Sequence, residues 1–289
     1  QQLRALRACV VHDLLRLFGG VGVVFNCHIA AAAFVALRVD DGLGADGAAH
    51  YRQYAAEAGS AADAAFNGKW YLRALYADGE ALGGGERIDS VAQSWAVLSG
   101  FGSETRAASA MDSALFRLWD REHRLIKLLD PPYSDRESST GYITGYGEGF
   151  RENGGQYTHG AIWLAIAALR LGRSAEGTAI LETLLPETHE ERIYQAEPFV
   201  LPADISTARG HEGLAGWTWY TGSAGWYFRA VTRELLGLRM RDGRLYIESP
   251  VLPEFSVCWT DDAGRTHTIE RSPDGITVDG KSYDGGRLP

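Results

Sequence analysis

Apolar residues recur at helical spacing through most of this chain and switch to strict alternation only near its end. The stretch "LRALRACVVHDLLRLF" sets Leu3, Leu6, Val10, Leu14 and Leu17 three or four positions apart, which predicts an amphipathic helix. The same reasoning predicts helices in "VVFNCHIAAAAFVALRV", "HYRQYAAEAGSAADAAF", "GKWYLRALYADG", "RIDSVAQSWAVLSG", "TRAASAMDSALFRLWD", "THGAIWLAIAALRLG" and "AGWYFRAVTRELLGLR". In "RIDSVAQSWAVLSG", Ile88, Val91, Trp95 and Leu98 share a face and Gly100 ends the run; Gly79 ends "GKWYLRALYADG" in the same way. From Asp242 the pattern changes. "GRLYIESP", "EFSVCWTD", "RTHTIERS" and "GITVDGKSY" alternate apolar and polar residues between Gly, Pro and Asp turns, and predict short strands. The expectation is a helical portion over residues 1–241 and a β segment over 242–289. So few strands bury little on their own and are expected to pack on the helices.

A string of helices of this kind forms a bundle, a solenoid or a toroid of paired helices. The joints here are long and carry Trp, Tyr, Glu and Asp, as connections do when a rigid scaffold holds a site on its loops. With 45% hydrophobic and 22% charged residues among 289, the chain has enough apolar content for a large core. The net charge of −9 and the absence of a basic stripe argue against a nucleic-acid partner. Cys9, Cys27 and Cys258 are odd in number and irregular in spacing, so buried free thiols are expected rather than disulfides. No apolar run reaches membrane-spanning length. The first twenty residues lack a small-residue cleavage site and read as a helix, not a signal peptide; a cytoplasmic location and no membrane partner are the expectation. Eight Trp, thirteen Tyr and ten Phe beside thirty-five Gly turn attention to sugars, whose C–H faces stack on flat aromatic rings.

Three segments carry candidate chemistry. In "FRENGGQYTHGAIW", Asn153-Gly154-Gly155 makes a tight turn with positive φ, Thr158 is placed to cap the following helix, and His159 stands at its start. A helix N-terminus offers free N–H groups and partial positive charge, and so favours an anion. "GWTWYTGSAGWYFRA" repeats the arrangement: Thr221-Gly222-Ser223-Ala224-Gly225 presents hydroxyls and backbone N–H groups ahead of a helix, flanked by Trp217, Trp219, Tyr220 and Trp226. No Gly-Lys-Ser/Thr follows, which excludes a Walker loop. "QAEPFVLPADI" sets the carboxylates of Glu197 and Asp204 in an extended loop. Trp70-Tyr71 and the run from Ile88 to Trp95 read as inter-helix packing with polar ends near the site.

These segments, together with "WYLRALYADGEALG", "IDSVAQSWAVLSG" and "GRLYIESPVLP", resemble the inverting disaccharide phosphorylases of glycoside hydrolase family 94, in family order over residues 66–253. The likeness is nearer to the phosphorylase-like part of cyclic β-1,2-glucan synthases. It implies a mainly α fold, a partial (α/α)6 toroid with a small C-terminal β appendage. It also implies inverting phosphorolysis of a β-linked gluco-oligosaccharide, β-1,2-glucan being the favoured substrate. Phosphate would be the co-substrate, with no cofactor and no metal. Carried over residue by residue, His159, Thr221 and Gly222 would hold phosphate, and Glu152 would bind sugar hydroxyls, with Asp204 also placed on the substrate. The family's phosphate-binding Arg falls before this chain begins. The family's Trp-Asn-Asp-Gly acid stretch is absent; "VHDLLRLFGG" aligns there and puts Asp13 in the slot of the general acid. The residues leave open a hydrolase or transglycosylase using Glu152 with Asp204 or Asp13, and a non-catalytic glycan-binding remnant. A homodimer is also left open.

Overall fold

The computed structural model describes residues 24–25, 45–76, 78–134, 138–241 and 244–285. Seven α-helices lie among the described residues: α1 (Ala45–Asp63), α2 (Ser90–Leu98), α3 (Glu104–Arg117), α4 (Thr158–Arg170), α5 (Ser174–Thr183), α6 (Glu191–Tyr194) and α7 (Thr221–Arg229). Helix α7 runs on into a π-helical segment, Ala230–Leu235. Helix α4 is the centre of the arrangement. Gly160 to Ile162 and Leu164 to Leu169 are all buried, as expected of a helix apolar on every side. It packs against α2, α5 and α7, and α3 packs on α2. The main core gathers Ile88, Ala92 and Ala96 from α2 and its approach, Met111 and Leu115 from α3, Ile162 and Ile166 from α4, and Ile180 and Leu181 from α5.

The helix starts are set by specific polar groups. Asp89 caps α2, its Oδ1 accepting from the Val91 N–H at 2.8 Å. Ser103 caps α3 by accepting from the Arg106 N–H. Gly100, at φ 73, lets the chain leave α2 in the left-handed conformation that a side chain disfavours. Helix α4 departs from expectation: Tyr157 holds the N-cap position without a side-chain bond, Thr158 is inside the helix, and its Oγ1 is buried without a partner. The Thr158 N–H is instead satisfied by the Ala203 carbonyl at 2.9 Å.

The helix expected in "GKWYLRALYADG" does not form. Residues 69–76 are extended and irregular, with a short strand at Ala74–Leu75. The cause is tertiary. The Asn67 carboxamide takes the N–H groups of Lys69 and Trp70, and the buried Gln93 side chain of α2 both accepts from the Tyr71 N–H at 2.8 Å and donates to its carbonyl at 2.9 Å. Backbone groups so occupied are not available to a helical ladder. Tyr71, at 0% exposure, is in the core as expected, in a different backbone state.

The strands predicted beyond residue 242 are present. Phe255–Thr260, Thr266–Ser272, Gly275–Val278 and Lys281–Ser282 form a four-stranded antiparallel meander. Leu238–Arg241 pairs antiparallel with Arg244–Ile247. Leu245, Ile247, Ile269 and Val278 form a second, smaller core, and Val251 and Leu252 pack back on the main one. Cys258 is exposed on this sheet, not buried as expected, because its strand half-buries only alternate positions and Cys258 is on the other face. Cys9 and Cys27 lie outside the described residues.

Candidate phosphate and sugar site

The site grows from a three-stranded ribbon. Gln156–Tyr157 pairs with Asp204–Ile205, which pairs in turn with Ala215–Gly216, all antiparallel. The register places Tyr157, Asp204 and Gly216 side by side, bringing together the three segments singled out from sequence. The turn that feeds the ribbon is built around Asn153. This residue is 1% exposed; its Oδ1 accepts from the Tyr133 N–H at 2.7 Å, and its Nδ2 donates to the Tyr133 and Tyr146 carbonyls, each at 2.9 Å. Gly154 has φ 92, as the Asn-Gly-Gly turn requires.

The ribbon delivers two helix starts to one place. His159, in the first turn of α4, faces Gly222, in the first turn of α7. A Cβ on Gly222 would stand 2.5 Å from His159 Nε2, so only glycine admits this approach. Ser223 Oγ lies 3.4 Å from His159 Nδ1. The N–H groups of Thr221 and Gly222, first in α7, have no carbonyl within the helix to bond, and both residues are exposed. Imidazole, hydroxyl and free N–H groups thus converge at the positive end of a helix, which is an arrangement for an anion. Among the described residues no cluster of His, Cys, Asp and Glu is suited to a metal ion.

Aromatic rings hold the imidazole in place. Tyr157 stacks on His159 at 5.7 Å, Tyr220 meets it edge-on at 5.8 Å, and Trp163 at 6.0 Å. Trp163 in turn contacts Trp95 and Trp226. Burial pushes the His159 pKa below its ordinary value, so the ring is neutral near pH 7 and carries one N–H donor. Burial, then a hydrogen bond with Tyr220, pushes the Tyr157 phenol up.

On the other side of Tyr157 lie the carboxylates. Asp204 is 5% exposed and bonded to Arg151, whose Nη1 donates to its Oδ1 at 3.2 Å. Burial raises the Asp204 pKa, Arg151 opposes this and Glu152 adds to it. Glu152 Oε2 lies 3.5 Å from Arg151 Nε. An open apolar groove of about 480 Å³ runs beside the helix start, with Phe199, Leu201, Trp219, Tyr220 and Thr221 in its walls. Trp219 is anchored there by its Nε1–H, which donates to Glu197 at 2.9 Å.

Of the residues picked from sequence, His159, Thr221 and Gly222 therefore meet at one helix start, and Glu152 and Asp204 meet on one guanidinium. Asp13 lies outside the described residues. Arg151 and Tyr157 stand in the site with no role read from sequence, and Tyr220 and Ser223 were read only as a flanking ring and as one hydroxyl of the loop before the helix. A signal for two of them was readable: each of the two helices is entered through a Tyr-Thr dipeptide, 157–158 and 220–221, and both tyrosines occupy N-cap positions.

A family model described as the glycosyl hydrolase 94 superfamily, catalytic domain, matches residues 12–237. Over 223 residues the chain is 41% identical to the cyclic beta-(1,2)-glucan synthase NdvB of Rhizobium meliloti (strain 1021), a match covering 73% of this chain and 8% of that protein. It is 32% identical over 196 residues to solabiose phosphorylase of Paenibacillus borealis, covering 65% of this chain and 25% of the relative. It is 29% identical over 223 residues to N,N'-diacetylchitobiose phosphorylase of Vibrio furnissii, covering 73% and 27%. The chain thus spans less than a third of the length of each of these relatives.

Proposed function

The chain belongs to the glycosyl hydrolase 94 superfamily, and from that premise we propose that it takes part in inverting phosphorolysis of a β-linked gluco-oligosaccharide, with β-1,2-glucan the favoured substrate. Phosphate binds at the start of α7, between the Thr221 and Gly222 N–H groups, the Thr221 hydroxyl and His159. A phosphate oxygen attacks the anomeric carbon from the face opposite the glycosidic bond. That bond breaks, and its oxygen takes a proton from the carboxylic acid of Asp13. The products are an α-sugar 1-phosphate and a shortened glucan. Phosphate is already a nucleophile, so no second carboxylate is needed to activate it. The helices belong, on this reading, to part of an (α/α)6 ring with the site at its axis, in a cytoplasmic protein without a resident cofactor.

The observation that carries the reading is the contact between His159 Nε2 and Gly222 at a helix N-terminus. The names of the relatives point the same way, two being phosphorylases and one a β-(1,2)-glucan synthase. Glu152 and Asp204 pair with one guanidinium, which suits sugar binding better than the separate acid and base of a water-using hydrolase. The test is to incubate the chain with β-1,2-, β-1,3- and β-1,4-glucans, with and without phosphate. Release of sugar 1-phosphate only with phosphate, and best from the β-1,2-glucan, is expected. Reducing sugar released equally without phosphate means hydrolysis. Glucan binding without turnover, unchanged in Asp13→Asn, means a binding remnant.

A further inference from the structure

Arg151 has no part in the chemistry above, yet the sugar side of the site is built around it. Its backbone sits at φ 46, a left-handed conformation that a non-glycine residue keeps only where its surroundings hold it. The surroundings are the turn that follows. A Cβ on Gly155 would stand 2.8 Å from the Arg151 nitrogen and 2.9 Å from its carbonyl oxygen, so the turn folds directly over the Arg151 backbone. The side chain, 13% exposed, bonds Asp204 at 3.2 Å and approaches Glu152 at 3.5 Å. Its guanidinium lies over the Trp217 ring at 4.6 Å and the Tyr146 ring at 5.5 Å.

Two details separate this from a simple structural ion pair. Arg151 Nε and Glu152 Oε2 are both buried and neither has a hydrogen-bond partner. Their 3.5 Å contact is longer than a charge-assisted hydrogen bond and has room to shorten. Trp217, itself at φ 55, covers the guanidinium with one face and is 69% exposed. Its other face is open to the C–H face of a sugar ring.

We infer that Arg151 is a positioning residue for the bound glucan: it fixes the Glu152 and Asp204 carboxylates and carries the Trp217 indole as a stacking platform, without touching phosphate. The inference rests on the phosphorolysis reading. Its test is Arg151→Gln, Arg151→Lys and Trp217→Ala in this chain, assayed for sugar 1-phosphate from β-1,2-glucan and for glucan binding by calorimetry. Arg151→Gln is expected to raise the glucan KM and Kd by about 50-fold while leaving the phosphate KM within about threefold. Arg151→Lys should recover part of the loss, because an ammonium still pairs with Asp204 but does not spread flat beneath an indole. Trp217→Ala leaves both ion pairs and should weaken glucan binding about tenfold. The proposal is overturned if Arg151→Gln folds and binds glucan within threefold of the parent, or raises the phosphate KM as much as the glucan KM. Should Arg151→Gln fail to fold, unaltered glucan binding in Trp217→Ala overturns it. The calorimetric arm needs no turnover: a parent chain that binds glucan but releases no sugar 1-phosphate ends the phosphorolysis reading, and the Kd values still decide on Arg151.

Discussion

At the scale of single residues, the proposed phosphate site depends on one missing side chain. Gly222 is not held at positive φ, so a substitution there meets no backbone strain, only His159. Gly222→Ala puts a methyl 2.5 Å from Nε2 and displaces the imidazole from the start of α7. The expected result is a phosphate KM raised by about 10- to 100-fold with the glucan KM little changed, equivalent to about 1.4–2.7 kcal/mol. Initial rates at varied phosphate check it. His159 also gives a pH prediction. Burial depresses its folded pKa, so on acidification the unfolded chain takes up a proton first. Stability from this residue is therefore complete above the unfolded value of about 6.5 and falls as pH drops below it. His189, also depressed mainly by burial, acts in the same direction. Phosphate bound as proposed should raise the pKa of His159 alone, because an adjacent anion favours imidazolium. Titration of the ring protons by NMR should show the His159 pKa rising with phosphate and that of His189 standing still; equal movement of both, or of neither, contradicts the site. Both His159 and Gly222 were legible in the sequence as residues at helix starts. Only the family resemblance set them on one phosphate, since sixty-two positions of chain separate them and no local pattern encodes which helix starts meet.

At the scale of elements, legibility followed whether backbone groups are satisfied locally. Helices α2, α3 and α4 and the C-terminal strands bond within themselves or to a neighbouring strand, and their periodicity predicts them. "GKWYLRALYADG" has helical spacing but spends its backbone on Asn67 and Gln93, which no pattern within the segment reveals. Helix α5 escaped notice because Gly177 interrupts it. A Cβ there would stand 2.6 Å from Leu169 Cγ, so the glycine exists to let α5 lie close on α4. The turn before α4 was read correctly from Asn-Gly-Gly, but its strength lies in the Asn153 side chain, which staples Tyr133 and Tyr146 beneath it. Asn153→Ala removes the hydrogen bonds that this side chain makes to the Tyr133 N–H and to the Tyr133 and Tyr146 carbonyls. It should cost about 2–4 kcal/mol in urea unfolding. It should also impair glucan binding more than phosphate binding, because the turn lies over Arg151 and not over Gly222. A loss below about 0.5 kcal/mol would mean that water replaces the staple.

At the scale of the whole molecule, the two largest cores among the described residues divide the work. The larger one surrounds α4, and Ile162, at 0% exposure, sits one turn along that helix from His159. The smaller one lies between the paired strands Leu238–Arg241 and Arg244–Ile247 and the meander, with Ile269 at 0% exposure in its middle. Truncating either isoleucine to alanine removes similar apolar volume and should cost about 2–5 kcal/mol where the cavity opens. The consequences should differ. In Ile162→Ala the cavity lies beneath the helix that presents His159, and α4 packs on α2, α5 and α7, so its movement reaches Gly222 and the Tyr157–Tyr220 pair. Sugar 1-phosphate formation should fall and the phosphate KM rise. In Ile269→Ala the loosened residues are Leu245, Ile247 and Val278, which cluster separately from the core around α4. Amide exchange over residues 255–282 should accelerate while exchange across α4 and the phosphate KM stay at parent values. Acceleration of α4 exchange in Ile269→Ala would show that the two cores unfold as one cooperative unit, and that the terminal sheet braces the site instead of merely neighbouring it.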